Sequence, residues 1–146
     1  MKNNIFFFFF ITFVLFNLNL SSQELEIDSS KIQYDKEKKI TIFQENVRLK
    51  DEKGNQLFSD YAKYNSKTYE TDFTENIVVT YVGHRATSEF MNINLKTNLA
   101  IMIDNIVYNN HNTGLRSDKL EIDLISKNSK IFMKNNANKV KVITLN

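Results

Sequence analysis

Three carboxylates occupy matching places in the chain, each directly after a serine: Ser59-Asp60, Ser88-Glu89 and Ser117-Asp118. Carboxylates in such an array can gather calcium, and a pair flanking a sugar can cleave a glycosidic bond. Recurrence at equivalent positions of successive units argues instead for a turn or cap hydrogen bond made once per unit. The two histidines, His84 and His111, lie beside glycine-containing turns without a third ligand at a recognisable spacing. They are expected to be solvated loop residues. The stretch Lys36-Glu37-Lys38-Lys39 reads as a solvated turn, and anionic sugar-phosphate groups are the ligand class it would otherwise suit. Arg48, Arg85 and Arg116 carry the same pair of readings. The chain has no cysteine, which excludes disulfides, thiolate metal sites, a cysteine nucleophile and a lipidated N-terminal cysteine. There is no glycine-rich phosphate loop, no Gly-x-Ser-x-Gly and no His-Glu-x-x-His. These residues predict no enzyme, no metal and no cofactor.

The elements that carry them repeat. Four segments start at Ser29, Ser59, Ser88 and Ser117, which lie 30, 29 and 29 residues apart. Five positions on comes Tyr34, Tyr64, Ile93 or Ile122, followed by Asp35, Asn65, Asn94 or Asp123. A second signature follows in three units, as Glu45-Asn46-Val47, Glu75-Asn76-Ile77 and Asp104-Asn105-Ile106. In the fourth unit the looser stretch Asn135 to Val140 takes its place. The three glycines, Gly54, Gly83 and Gly114, fall just before the second, third and fourth units. A fixed period of this kind marks one supersecondary piece that cannot bury its apolar face alone, so neighbouring units stack.

Apolar residues recur at every second position, which is the period of a strand. β-Branched and aromatic side chains fill these positions, and Asp, Asn, Ser and Lys supply the turns between them. The predicted fold class is all-β, built from four strand repeats of about thirty residues. The inward set is expected to be Ile32, Tyr34, Ile40, Ile42, Val47, Leu49, Ala62, Tyr64, Ile77, Val79, Met91, Ile93, Ile101, Ile103, Ile106, Leu120 and Ile122. In the first and third units the inward parity then flips across the Asn, at a bulge or tight bend where Asn tolerates φ > 0. The second unit departs, because Tyr69, Thr71, Phe73 and Ile77 keep one parity.

A chain of 146 residues suffices for one domain with a core, and 42% hydrophobic with 25% charged residues is the balance of a folded soluble protein. A formal charge of +2 offers no electrostatic case for nucleic acid or an anionic membrane surface. Residues 1–22 read as an export signal: Lys2, then the apolar run Ile5 to Phe16, then Ser21 and Ser22 ahead of Glu24 and Glu26. Cleavage after Ser21 or Ser22 is one outcome, and an uncleaved inner-membrane anchor is the other. Residues 23–146 form a single expected domain.

The combination resembles one family. A small residue, an acid, an alternating strand ending in Tyr-Asp or Tyr-Asn, a turn, a second strand and an x-Asn-Val bend is similar to the OstA-like proteins of lipopolysaccharide transport. The best-matching stretches are Ser59 to Asn65 with Glu75-Asn76-Ile77, and Glu45 to Asp51 ahead of them. The family's usual Ala-Asp and Gly-Asn-Val are here Ser-Asp (or Ser-Glu, Ser-Ser) and Glu- or Asp-Asn. The resemblance implies an open antiparallel β-jellyroll, V-shaped, whose cleft takes up the acyl chains of lipopolysaccharide. It implies a periplasmic bridge of the LptA type, with an anchored LptC-like role as the alternative. The implied partners are lipopolysaccharide and other OstA-like transport proteins (LptC and LptD types) through edge-strand pairing, with a head-to-tail homo-oligomer. A structural β-solenoid without a ligand is the rival from another class.

Overall fold

The computed structural model of the chain describes residues 25–51, 54–81, 83–126, 128–134 and 141–144. The expected export segment and the stretch 135–140 lie outside the described residues. Ten strands follow in order: β1 (Leu25–Asp28), β2 (Lys31–Asp35), β3 (Ile40–Asp51), β4 (Gln56–Asn65), β5 (Glu70–Tyr81), β6 (His84–Asn94), β7 (Leu99–Asn109), β8 (Thr113–Asp123), β9 (Ser129–Phe132) and β10 (Lys141–Thr144). Every pairing is antiparallel, and the order β1-β3-β4-β5-β6-β7-β8-β10 is a meander. The predicted all-β class holds.

The strands β3 to β8 are 10 to 12 residues long, about twice the common length. β3, β5 and β7 are each broken at the middle by a register shift, at Gln44/Val47, Thr74/Ile77 and Ile103/Ile106. At each break two residues stand against one on the neighbouring strand. The short end strands show what this does to the sheet. β2 pairs only with 40–44 of β3, and β1 only with 48–51. At the other end β9 pairs with 119–122 of β8, and β10 with 113–116. The sheet is thus two limbs joined along a line of bends. The first limb holds β2, β9 and the halves of β3 to β8 nearest the turns at 36–39, 66–69 and 95–98. The second limb holds β1, β10 and the remaining halves.

The bend is written in the repeated dipeptides. Glu45-Asn46, Glu75-Asn76 and Asp104-Asn105 have φ between 50° and 66° at both residues. Asn and Asp tolerate this left-handed region and Glu does not favour it, so surrounding contacts must hold the Glu residues there. Two contacts recur. Ser29, Ser59 and Ser88 each donate through Oγ to the carbonyl two residues on, at 3.1 Å. The residue after the serine then accepts a bond from a donor sixteen positions downstream. Asn46 Nδ2 reaches Ser30 Oγ at 3.3 Å, Asn76 reaches Asp60, Asn105 reaches Glu89, and the Lys134 backbone N–H reaches Asp118 at 2.9 Å. The recurring acids therefore brace the bend.

The bend also fixes which side chains face inward. On β3, β5 and β7 the buried residues keep one parity throughout: Thr41, Phe43 and Val47; Thr71, Phe73 and Ile77; Ala100, Met102 and Ile106. The parity switch falls on the partner strands, from Leu57 and Ser59 to Ala62, and from Ala86 and Ser88 to Met91. This corrects the expected flip in the first and third units. Two consecutive left-handed residues turn the strand as a pair, as in the centre of a type I′ turn, and the residue count across them stays even. Val47, Ile77 and Ile106 are only 1% exposed. A lone sheet leaves both faces open, so this burial comes from the opposite limb folding over them. Each such side chain contributes about 1.5–3 kcal/mol relative to exposure.

Candidate functional site

The concave space between the limbs is lined by cross-strand rows. Along the first limb beside the bend runs Ile32, Phe43, Ala62, Phe73, Met91, Met102, Leu120 and Ile131. One inward step nearer the turns runs Tyr34, Thr41, Tyr64, Thr71, Ile93, Ala100, Ile122 and Ser129. The second limb supplies Ile27, Leu49, Leu57, Val79, Ala86, Tyr108 and Leu115, with Val47, Ile77 and Ile106 beside the bend. Twelve of these form one buried apolar cluster, and Ile27, Leu49, Tyr64, Val79, Ile93, Tyr108 and Ile122 pack against it partly exposed. Among the described residues the lining runs from β2 to β9 on the first limb and from β1 to β8 on the second.

The sequence-predicted set divides between the faces. Ile32, Tyr34, Val47, Leu49, Ala62, Tyr64, Ile77, Val79, Met91, Ile93, Ile106, Leu120 and Ile122 stand in the inner rows. Ile32, on the edge, remains 37% exposed. Ile40, Ile42, Ile101 and Ile103 do not join them. They are half-buried on the outer face, where Ile42 pairs across to Gln33 and Lys63 and Ile101 to Asn92 and Glu121. These four are corrected by the unswitched parity of β3 and β7. The sequence reading missed Phe43, Phe73, Met102, Leu57 and Ala86. The signal for three of them was available: Phe43, Phe73 and Met102 lie 30 and 29 residues apart, each four before Val47, Ile77 or Ile106.

Polar groups in this space are few. Ser59 and Ser88 are buried and spend their hydroxyls on the bend. Ser117 Oγ and Tyr64 Oη are buried without a hydrogen-bond partner among the described residues. Burial raises the Tyr64 phenol above its ordinary value of 10.0, with the nearby Tyr69 adding to it. His84 is not the solvated loop residue expected. It opens β6, stacks on Tyr108 with ring centroids 5.7 Å apart, and shares a hydrogen bond between Nδ1 and the Tyr108 hydroxyl. His111 is exposed and lies against Gly83, whose φ of 77° and whose missing Cβ, which would meet His111 Nε2 at 2.9 Å, both favour glycine. Among the described residues no three His, Asp or Glu side chains are placed to share a metal ion. The space between the limbs is thus an apolar interior with a few hydroxyls.

The outer face completes the electrostatics. Arg48 lies over the Phe58 ring at 5.1 Å, so one of the three arginines is engaged by its own limb. Lys38 pairs with Asp35 at 3.5 Å in the first turn. The Asp35 carboxyl is held below its ordinary value, chiefly by the backbone N–H of Lys38. Lys134 bridges to Asp104 at the last bend.

No family model and no curated protein matches this sequence. Among solved structures the chain is similar to LptH, described as the LptA-homologous periplasmic component of the lipopolysaccharide transport device from Pseudomonas aeruginosa. The TM-score is 0.65 at 7% identity, over 83% of this chain and 94% of that one. At that identity the likeness is one of fold, and the expected open β-jellyroll is the fold observed.

Proposed function

We propose that the chain is a periplasmic carrier that shields the acyl chains of lipopolysaccharide between the two limbs during passage from inner to outer membrane. The observation that supports this most is the lining: beside the bend one apolar row crosses from Ile32 on β2 to Ile131 on β9. Each CH₂ removed from water contributes about 0.8 kcal/mol, and a non-directional surface lets a chain slide. The neighbour LptH supports the same reading by its fold.

The edges support a bridge made by strand addition. Ile32 on β2, and Ile131 and Phe132 on β9, are 37%, 37% and 40% exposed, an aggregation hazard unless another chain covers them. If β9 of one copy pairs with β2 of the next and the rows continue, Ile32 meets Ile131, Tyr34 meets Ser129 and Lys31 meets Phe132. On the second limb the same continuation between copies would set Asp28 of β1 opposite Lys141 of β10. The same edges would accept LptC- and LptD-type partners.

The test is mass spectrometry of the exported protein with its copurified lipid. The carrier reading expects lipopolysaccharide at near-stoichiometric amount and an N-terminus at residue 22 or 23. Protein recovered in membranes with Met1 to Ser21 attached would assign the anchored, LptC-like role instead. Lipid-free protein that also fails to take up lipopolysaccharide would leave only the structural module.

A further inference from the structure

The row nearest the first-limb turns changes character halfway along. From the β2 edge it reads Tyr34, Thr41, Tyr64 and Thr71, and towards β9 it continues Ile93, Ala100 and Ile122 before the exposed Ser129 at the edge. Tyr64 is the direct cross-strand partner of both Thr41 and Thr71. Three hydroxyl-bearing side chains therefore stand on adjacent strands, about 4.8 Å apart, one inward step from the apolar row Phe43, Ala62 and Phe73. Thr41 and Thr71 are 7% and 9% exposed, and the Tyr64 hydroxyl is buried with no partner among the described residues. A buried hydroxyl left unpaired is costly, and native interiors rarely keep one without a use. A phenylalanine at position 64 would fill the same space without that cost.

Resting on the carrier reading, we propose that Tyr64, flanked by Thr41 and Thr71, selects acyl chains that carry a hydroxyl group a few carbons in from their polar end. The position along the limb sets that location. Tyr64 is the last inward residue of β4 before the turn at 66–69. A chain seated with its tail towards the bend and its carboxyl end at the mouth brings its first carbons to this row. Its hydroxyl then supplies the partner that Tyr64 lacks. Ile93, Ala100 and Ile122 in the other half of the row offer no such partner and suit unsubstituted hydrocarbon.

The proposal is tested with the exported, delipidated full chain and two probes, 3-hydroxytetradecanoic acid and tetradecanoic acid, by calorimetry or displacement of a fluorescent fatty acid. The wild-type protein should prefer the hydroxylated chain by about fivefold, the size of one net hydrogen bond. Tyr64→Phe should bring the ratio close to one through lost affinity for the hydroxylated acid, because the ring and its packing remain and only the hydroxyl is removed. Thr41→Val should lower the ratio by less. Equal binding of both acids by the wild type, or a ratio unchanged in Tyr64→Phe, overturns this inference and leaves the carrier reading standing. Failure to bind either acid overturns both.

Discussion

Ile93 and Ile101 stand on neighbouring strands, are the same residue type and are both half-buried, yet they face opposite ways. Ile93 pairs with Ala100 and packs against the buried cluster, whereas Ile101 pairs with Asn92 and Glu121 on the outside. The inner face includes small and hydroxylated residues such as Ala62, Ala100, Thr41 and Ser59, and the outer face carries four isoleucines. Hydropathy therefore does not separate the faces. The bends at 45–46, 75–76 and 104–105 do, because they decide which parity each half-strand presents to the opposite limb.

The contrast between faces can be broken at several depths. The largest loss is expected at the inner face beside the bend. Phe73, 2% exposed, lies where both limbs close on it, and Phe73→Ala should cost about 3–5 kcal/mol in urea unfolding. A loss under about 1 kcal/mol would mean that the limbs do not pack on each other there. Next comes the bend itself. Asn76 has φ 53° and donates to Asp60, so Asn76→Ala should cost about 1–2 kcal/mol through backbone strain plus the lost bond. Asn76→Gly keeps the backbone and loses only the bond, so it should cost less. Equal losses in the two variants would show that left-handed geometry is not what the Asn supplies.

On the outer face Ile101→Thr should cost no more than about 1 kcal/mol, since its neighbours are Asn92 and Glu121 and the outer side remains open. The smallest effect separates the faces by pH. The Tyr64 phenol is raised above 10.0 in the fold, so the folded state keeps its proton after the unfolded chain has lost it. Stability is then fully present below pH 10 and falls as pH rises above it. Tyr64→Phe should flatten that alkaline decline in a thermal-melting series, and an unchanged slope would place the phenol in water.

The repeat, the strand class and the bracing role of Asp60 and Glu89 were legible in the sequence, because each leaves the same residue types at a period of 29 or 30. The family resemblance drawn from Ser59 to Asn65 and from the Glu-Asn-aliphatic dipeptides led to the fold observed. The facing of β3 and β7 was not legible from hydropathy, since Ile40, Ile42, Ile101 and Ile103 outrank Thr41 and Ala100 on any apolar scale. Only the second unit showed the rule openly, in Thr71, Phe73 and Ile77. The pairing of His84 with Tyr108 was hidden for a different reason: it joins residues 24 apart through a register that no local signal fixes.

The central claim is that the inner face alone carries lipid. A photocrosslinking residue placed at position 93 and, separately, at position 101 in the exported protein tests it with partners matched in type and exposure. The account predicts crosslinks to lipopolysaccharide from position 93 and none from position 101. Crosslinks from 101 alone, or from neither position in protein shown to be exported and folded, would contradict it.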